Sequence, residues 1–138
     1  MRTKLILLPQ HWHAMHAHVA KHAPLEACGL LAGKKDRVEK IIPIRNQAQS
    51  PVRFRMDPKE QLDAFEWIDD NGLELLGIFH SHPTGPETAS ATDIEEATYP
   101  VVHIIWDGSH GAWNARGFWI ENGKVVDVDL EISHNRNQ

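Results

Sequence analysis

A mixed β-sheet flanked by helices, an α/β (α+β) domain, follows from two hydrophobic periodicities that alternate along the chain. Leu73–Phe79 and Val101–Trp106 are almost continuously apolar over the length of a strand, which suits strands covered on both faces. Before and between them lie stretches with helical spacing, bounded by residues that start and stop helices. The size agrees with one domain: 138 residues, 41% of them hydrophobic and 24% charged. A chain of this length buries about two-thirds of its unfolded surface without needing disulfides. The expected organisation is a single domain over 1–132 with a flexible C-terminal tail over 133–138.

Each element has a local reason. Thr3–Leu8 reads as a short strand. Pro9 opens a helical stretch that places Leu8, Trp12, His16, Val19 and Ala23 on one face, and Pro24 closes it. Leu25–Gly33 mixes small and apolar residues, as a buried segment in close backbone contact does. Val38–Ile44 and Val52–Met56 follow as strands, separated by the polar loop Arg45–Ser50. The second helix has Asp57 as N-cap, Pro58 at its first position and Glu60 as capping-box partner. Leu62, Phe65 and Ile68 form its apolar stripe, and Asn71-Gly72 stops it. After the strand Leu73–Phe79, a polar loop, Pro83–Ala89, leads to a third helix starting near Ser90. Beyond Val101–Trp106 the chain ends in a hairpin, Trp113–Ile120 and Lys124–Val128, turned by Asn122-Gly123.

Composition narrows the function. A net charge of −5 argues against nucleic acid as a partner, because phosphate neutralisation needs a basic face. The single cysteine, Cys28, excludes an intramolecular disulfide and a Cys-rich zinc site. With no basic neighbour in sequence it reads as a small core residue rather than a reactive thiol. The apolar run Leu5-Ile6-Leu7-Leu8 stops at Pro9, too short for a signal segment or a membrane span, so the expected compartment is the cytoplasm. Histidine is the surplus, at ten residues. Five of them, His11, His13, His16, His18 and His22, fall in the first helix. His18 and His22 form an i,i+4 pair able to chelate zinc or nickel; without a carboxylate beside them they read as a solvated polar flank. His103 reads as a core histidine, and Trp106 as a residue at the border of a site.

The chemistry gathers where the central strand ends, at His80-Ser81-His82-Pro83. In extended backbone, residues two apart point the same way, so His80 and His82 offer both imidazoles to one ion. Gly85 and Pro86 suit a sharp return that brings Ser90 and Asp93, in the first turn of the next helix, back to that pair. The helix N-terminus favours the ionised carboxylate. Two imidazoles and one carboxylate leave a coordination position open, the layout of a catalytic zinc. Ser90 and Asp93 are equally an ordinary N-cap and capping-box partner, and on spacing alone both readings stand.

Together these residues resemble the His-x-His-x7-Ser-x2-Asp signature of the JAMM (MPN-plus) metallopeptidases. The family's upstream glutamate is matched by Glu26 within Pro24-Leu25-Glu26-Ala27-Cys28-Gly29-Leu30-Leu31-Ala32-Gly33. The likeness extends to Phe54-Arg55-Met56-Asp57-Pro58 and Leu75-Leu76-Gly77-Ile78-Phe79. It implies a cytidine-deaminase-like core in which His80, His82 and Asp93 bind one Zn²⁺, with water as fourth ligand. It also implies Glu26 as general base, later delivering a proton to the leaving amine, and Ser90 as stabiliser of the oxyanion. Family members cleave peptide or isopeptide bonds after the extended C-terminal tail of ubiquitin-like proteins. The shortness of this chain resembles the compact prokaryotic type, whose partners are β-grasp sulfur carriers or modifiers; a homodimer is compatible with the sequence. Two alternatives stay open: a non-haem iron oxygenase using the same three ligands, and a non-catalytic MPN-like binding module.

Overall fold

The computed structural model describes residues 1–134. Its elements are β1 (Lys4–Leu7), α1 (Pro9–His22), β2 (Cys28–Lys34), β3 (Arg37–Ile44), α2 (Pro58–Asp70), β4 (Glu74–His82), α3 (Ala91–Glu96), β5 (Val102–Asp107), β6 (Asn114–Glu121) and β7 (Lys124–Ile132). The expected mixed sheet is present, in the order β1-β3-β2-β4-β5-β6-β7, and it also closes into a barrel. β1 makes the closure, parallel to β7 along its whole length and bridged to β3 at Ile6 and Arg37. β4 and β5 are likewise parallel, with α3 in the crossover between them, and the remaining neighbours are antiparallel.

The two faces of the sheet carry separate cores. Met15 and Val19 of α1 pack with Leu31, Phe79, Val102, Ile104 and Trp106 on one side. Ala64 and Ile68 of α2 pack with Cys28, Leu30 and Ile78 on the other. Central position thus explains the apolar runs of β4 and β5. Each large side chain buried there contributes roughly 1.5–3 kcal/mol. Because β4 alternates, Ile78, His80 and His82 face the α2 side, while Phe79 and Ser81 face α1.

Several local expectations are corrected. α1 starts at Pro9 but buries His11, Met15 and Val19, while His16 and Ala23 are exposed. The His11 ring accounts for the rotated face: its Nδ1 accepts the Leu8 N–H at 3.0 Å, drawing the ring under the first turn. In α2, Asp57 caps Lys59 and Glu60 as expected, but the Glu60 carboxylate takes the Arg45 N–H at 2.9 Å instead of closing a capping box. Leu62 is exposed, and Ala64 takes its place in the core. Val52–Met56 is a loop rather than a strand, with an isolated bridge between Asn46 and Met56 outside the sheet. Asn46 organises it: Oδ1 accepts from Ala48 and Arg55, and Nδ2 donates to Arg53 and Glu26. At the hairpin, Asn122 and Gly123 have φ of 53° and 75°, as a two-residue turn of this hand requires.

The Ser133 N–H bonds to Leu7 O at 2.8 Å. Of the tail expected to be flexible, 135–138 lie outside the described residues. Among the described residues no helix is long and apolar enough to cross a membrane.

Candidate metal centre

His80 and His82 end β4 with their Nε2 atoms 3.1 Å apart. The β4–β5 crossover returns α3 over this end of the sheet, and Asp93 in its first turn places Oδ1 3.1 Å from His80 Nε2 and Oδ2 3.1 Å from His82 Nε2. A capping box fixes Asp93: Ser90 Oγ accepts the Asp93 N–H at 3.1 Å, and Asp93 Oδ2 accepts the Ser90 N–H at 2.8 Å. Ser90 and Asp93 thus form the expected N-cap and capping box, and that cap aims the carboxylate at the imidazoles.

Glu26 arrives from the segment before β2. Antiparallel pairing sets Cys28 opposite His80, so Glu26 is carried toward the end of β4. Ser81 locks this approach, its Oγ accepting the Ala27 N–H at 2.8 Å and its own N–H donating to Ala27 O at 3.0 Å. On the other side the Glu26 N–H donates to Ser50 O at 2.8 Å, and its carbonyl accepts from Asn46 Nδ2 at 3.0 Å. Glu26, His80 and His82 offer donor atoms that all lie within 4.8 Å of one another. Glu26 is 4% exposed, and its Oε1 is buried without a hydrogen-bond partner.

The electrostatics separate the two carboxylates. Burial pushes the Asp93 carboxyl up, but the hydrogen bonds from His80 and His82 outweigh it and hold Asp93 well below the usual carboxylate range. Burial pushes Glu26 up to about 8, with the neighbouring Asp93 charge adding to the rise and His82 opposing it. His80 is lowered by burial against its bond to Asp93. His82 is raised, its bonds to Asp93 and Pro86 overcoming burial.

These residues fit a small divalent ion. Around a tetrahedral ion with bonds near 2 Å the donors stand about 3.3 Å apart, close to the spacing between the two imidazoles and Asp93. His82 Nδ1 donates to the Pro86 carbonyl at 2.7 Å, so Nε2, once an incoming ion displaces its proton, is the nitrogen whose lone pair turns to the site. Phe54 stacks on the His80 ring, centroids 4.5 Å apart.

The sequence does not single out Asn46, and it marks Phe54 and Pro86 only as part of a likeness and of a turn; the contacts of the latter two with the histidines lie in loops with no periodicity. His103 is a core residue as expected, though unsatisfied: its Nε2 has no partner, and burial lowers its pKa to about 4. Trp106 does not border the site. It faces α1, tilted against Trp12 with ring centroids 4.8 Å apart. Cys28 is a buried core thiol, pushed up to about 12 by burial and the nearby Glu26 and Glu60 charges. In α1, His11 is buried and His18 is held by Cys28 O at 3.1 Å, so only part of the expected solvated flank is solvated.

Comparison with known proteins agrees with this geometry. Residues 8–120 match the family described as prokaryotic homologs of the JAB domain. A desampylase of Pyrococcus furiosus is 40% identical over 130 residues, covering 92% of this chain and 90% of its own. A CysO-cysteine peptidase of Mycobacterium tuberculosis is 39% identical over 124 residues, covering 87% and 85%. A solution structure from Desulfitobacterium hafniense superposes with a TM-score of 0.86 at 34% identity, covering 95% and 94%. Family match, extensive likeness and a cluster able to hold a metal converge, and the chain belongs to the prokaryotic homologs of the JAB domain as a JAMM-type peptidase.

Proposed function

We propose that this chain is a zinc peptidase or isopeptidase that hydrolyses the bond following the C-terminal tail of a ubiquitin-like sulfur-carrier or modifier protein. The observation that carries the reading is the contrast between two carboxylates, one half-buried and one buried, beside one histidine pair. Asp93 is ionised and touches both imidazoles, as a ligand does. Glu26 is buried with a free oxygen and a raised pKa, as a proton carrier is.

In this reading His80, His82 and Asp93 hold Zn²⁺ and Glu26 stays outside the ligand set. Zinc bound there lowers the pKa of water to about 7 and polarises the scissile carbonyl. Glu26 takes the proton of the attacking water and passes it to the leaving amine. Ser90 Oγ uses a lone pair on the Asp93 N–H, so its own proton remains available to the developing oxyanion. Burial of Glu26, His80 and His82, with Ser90 and Asp93 half-buried beside them, limits the competition of bulk water for these bonds.

The substrate class is supported by what the relatives are named for: a desampylase, a probable TtuB-protein conjugate cleaving protease of Thermus thermophilus, and a CysO-cysteine peptidase. Each is matched over most of its own length, so the likeness does not rest on a fragment. We further place the activity in the cytoplasm and in a single catalytic domain over 1–132. An iron oxygenase with the same ligands would have no use for a buried, unpartnered Glu26 beside them.

The test incubates zinc-loaded protein with sulfur-carrier proteins extended by one residue or fused through Gly-Gly. Cleavage after the tail is expected, slowed roughly 10²–10⁴-fold in Glu26→Gln while zinc stays bound. Equal cleavage by both proteins removes Glu26 from the mechanism, and cleavage by neither removes the substrate class.

A further inference from the structure

Outside the site just described, Glu87, Asp107 and His110 bring three donor atoms within 4.8 Å of one another. Asp107 ends β5 in register with His82, so this cluster sits on the same end of the sheet as the histidine pair. Its side chain is 1% exposed. Oδ1 accepts the Ser109 N–H at 2.9 Å, whereas Oδ2 is buried with no hydrogen-bond partner. That bare oxygen faces His110 Nε2 across 3.7 Å, too far for a hydrogen bond. A buried carboxylate oxygen left without a donor is costly, and a cation is the usual remedy.

From this we propose a second divalent-cation site, formed by Glu87, Asp107 and His110. Asp107 is its buried anchor, while His110 and Glu87, 69% and 58% exposed, close over the ion from the solvent side. Glu87 is free to turn inward. Its present contact is a loose pair with Arg116 at 3.7 Å, and Arg116 keeps Asp127 at 3.5 Å as another partner. Two carboxylates and one imidazole suit a borderline ion such as Zn²⁺, Mn²⁺ or Co²⁺, with water in the remaining positions.

The site joins two loops. Glu87 belongs to the loop that follows His82, and Asp107 and His110 flank the turn after β5. These loops already touch, since a Cβ on Gly85 would lie 3.3 Å from Ser109 Oγ. The first loop also carries Pro86, whose carbonyl holds His82 Nδ1. An ion here pins that loop and with it the orientation of His82.

The experiment measures zinc per chain after equilibrium dialysis at buffered free Zn²⁺, in the wild type, His80→Ala, His110→Ala and Asp107→Asn. Two ions are expected in the wild type, one in each variant, with the second site weakened at least tenfold by His110→Ala. His110 is exposed, so this variant reports even if Asp107→Asn does not fold. One ion per wild-type chain, lost in His80→Ala and kept in His110→Ala, overturns the second site and leaves the proposed function standing. Two ions retained in both His110→Ala and Asp107→Asn also overturn it. One ion lost in His110→Ala but kept in His80→Ala preserves the second site and removes the first.

Discussion

Five histidines lie in α1 and two at the end of β4, and the molecule treats them in opposite ways. In β4 the two-residue repeat sends both rings to one side, where Asp93 meets both Nε2 atoms. In α1 the rings diverge: His13, His16 and His22 are exposed, His11 is drawn under the first turn, and His18 is held by a carbonyl of β2. His18 and His22 do approach, with ring centroids 4.7 Å apart, but the Cys28 carbonyl already takes His18 Nε2. Number of imidazoles is therefore a poor guide. Convergence of lone pairs, with an anion at the point of convergence, is what separates a ligand set from a polar surface.

The sharpest way to break this contrast is His80→Ala. It should abolish metal at the histidine pair and lower turnover by more than about a hundredfold, a larger loss than outer residues of metal sites give; metal analysis and peptidase assay check it. Retained metal at that site would make β4 no different from α1.

The next effect concerns charge in the metal-free protein. Glu26 is raised from 4.5 to about 8, so its ionisation disfavours the folded state. That cost is absent below about pH 4.5, grows across the interval and is complete above about 8. Asp93 works in the opposite sense: its lowered pKa gives stability that is present above its ordinary pKa and lost as the pH falls through the folded value. Metal-free Glu26→Gln should thus melt several degrees above the metal-free wild type near pH 9, with the gap closing toward pH 4.5. A gap that is constant with pH would assign the gain to something other than the buried charge.

Within α1 the expected effects are smaller. His11→Ala removes the acceptor for the Leu8 N–H and should cost about 1 kcal/mol in denaturant unfolding, with metal content unchanged. His22→Ala should stay within about 0.5 kcal/mol of wild type and keep its metal. Loss of an ion in His22→Ala would show that the helix binds metal too, and the contrast would be one of degree.

What the sequence discloses follows from how local each interaction is. β4 is legible because a strand covered on both faces must be apolar nearly throughout, and the His-x-His pair because alternation fixes where its rings go. Asp57 and Asn122-Gly123 are legible because a cap and a tight turn are written in adjacent residues. The rotation of α1 is not legible: it depends on one ring nitrogen of His11 finding the Leu8 N–H, which an apolar periodicity does not register. Val52–Met56 misleads for a related reason. Its apolar residues suit a strand, but Asn46 takes its backbone into a side-chain network and Phe54 is spent on the His80 ring. Barrel closure through β1 joins the two ends of the chain, and no local pattern announces it.

The bond between Ala27 and Ser81 has a wider consequence, since it spans 54 positions of sequence. The three proposed ligands occupy one short stretch, 80–93, whereas Glu26, the proposed proton carrier, reaches them only when β2 is paired beside β4. The proposed ligands are thus close in sequence, while the proposed proton carrier joins them only through the paired sheet. Assembly of the complete site therefore waits for the pairing of β2 with β4.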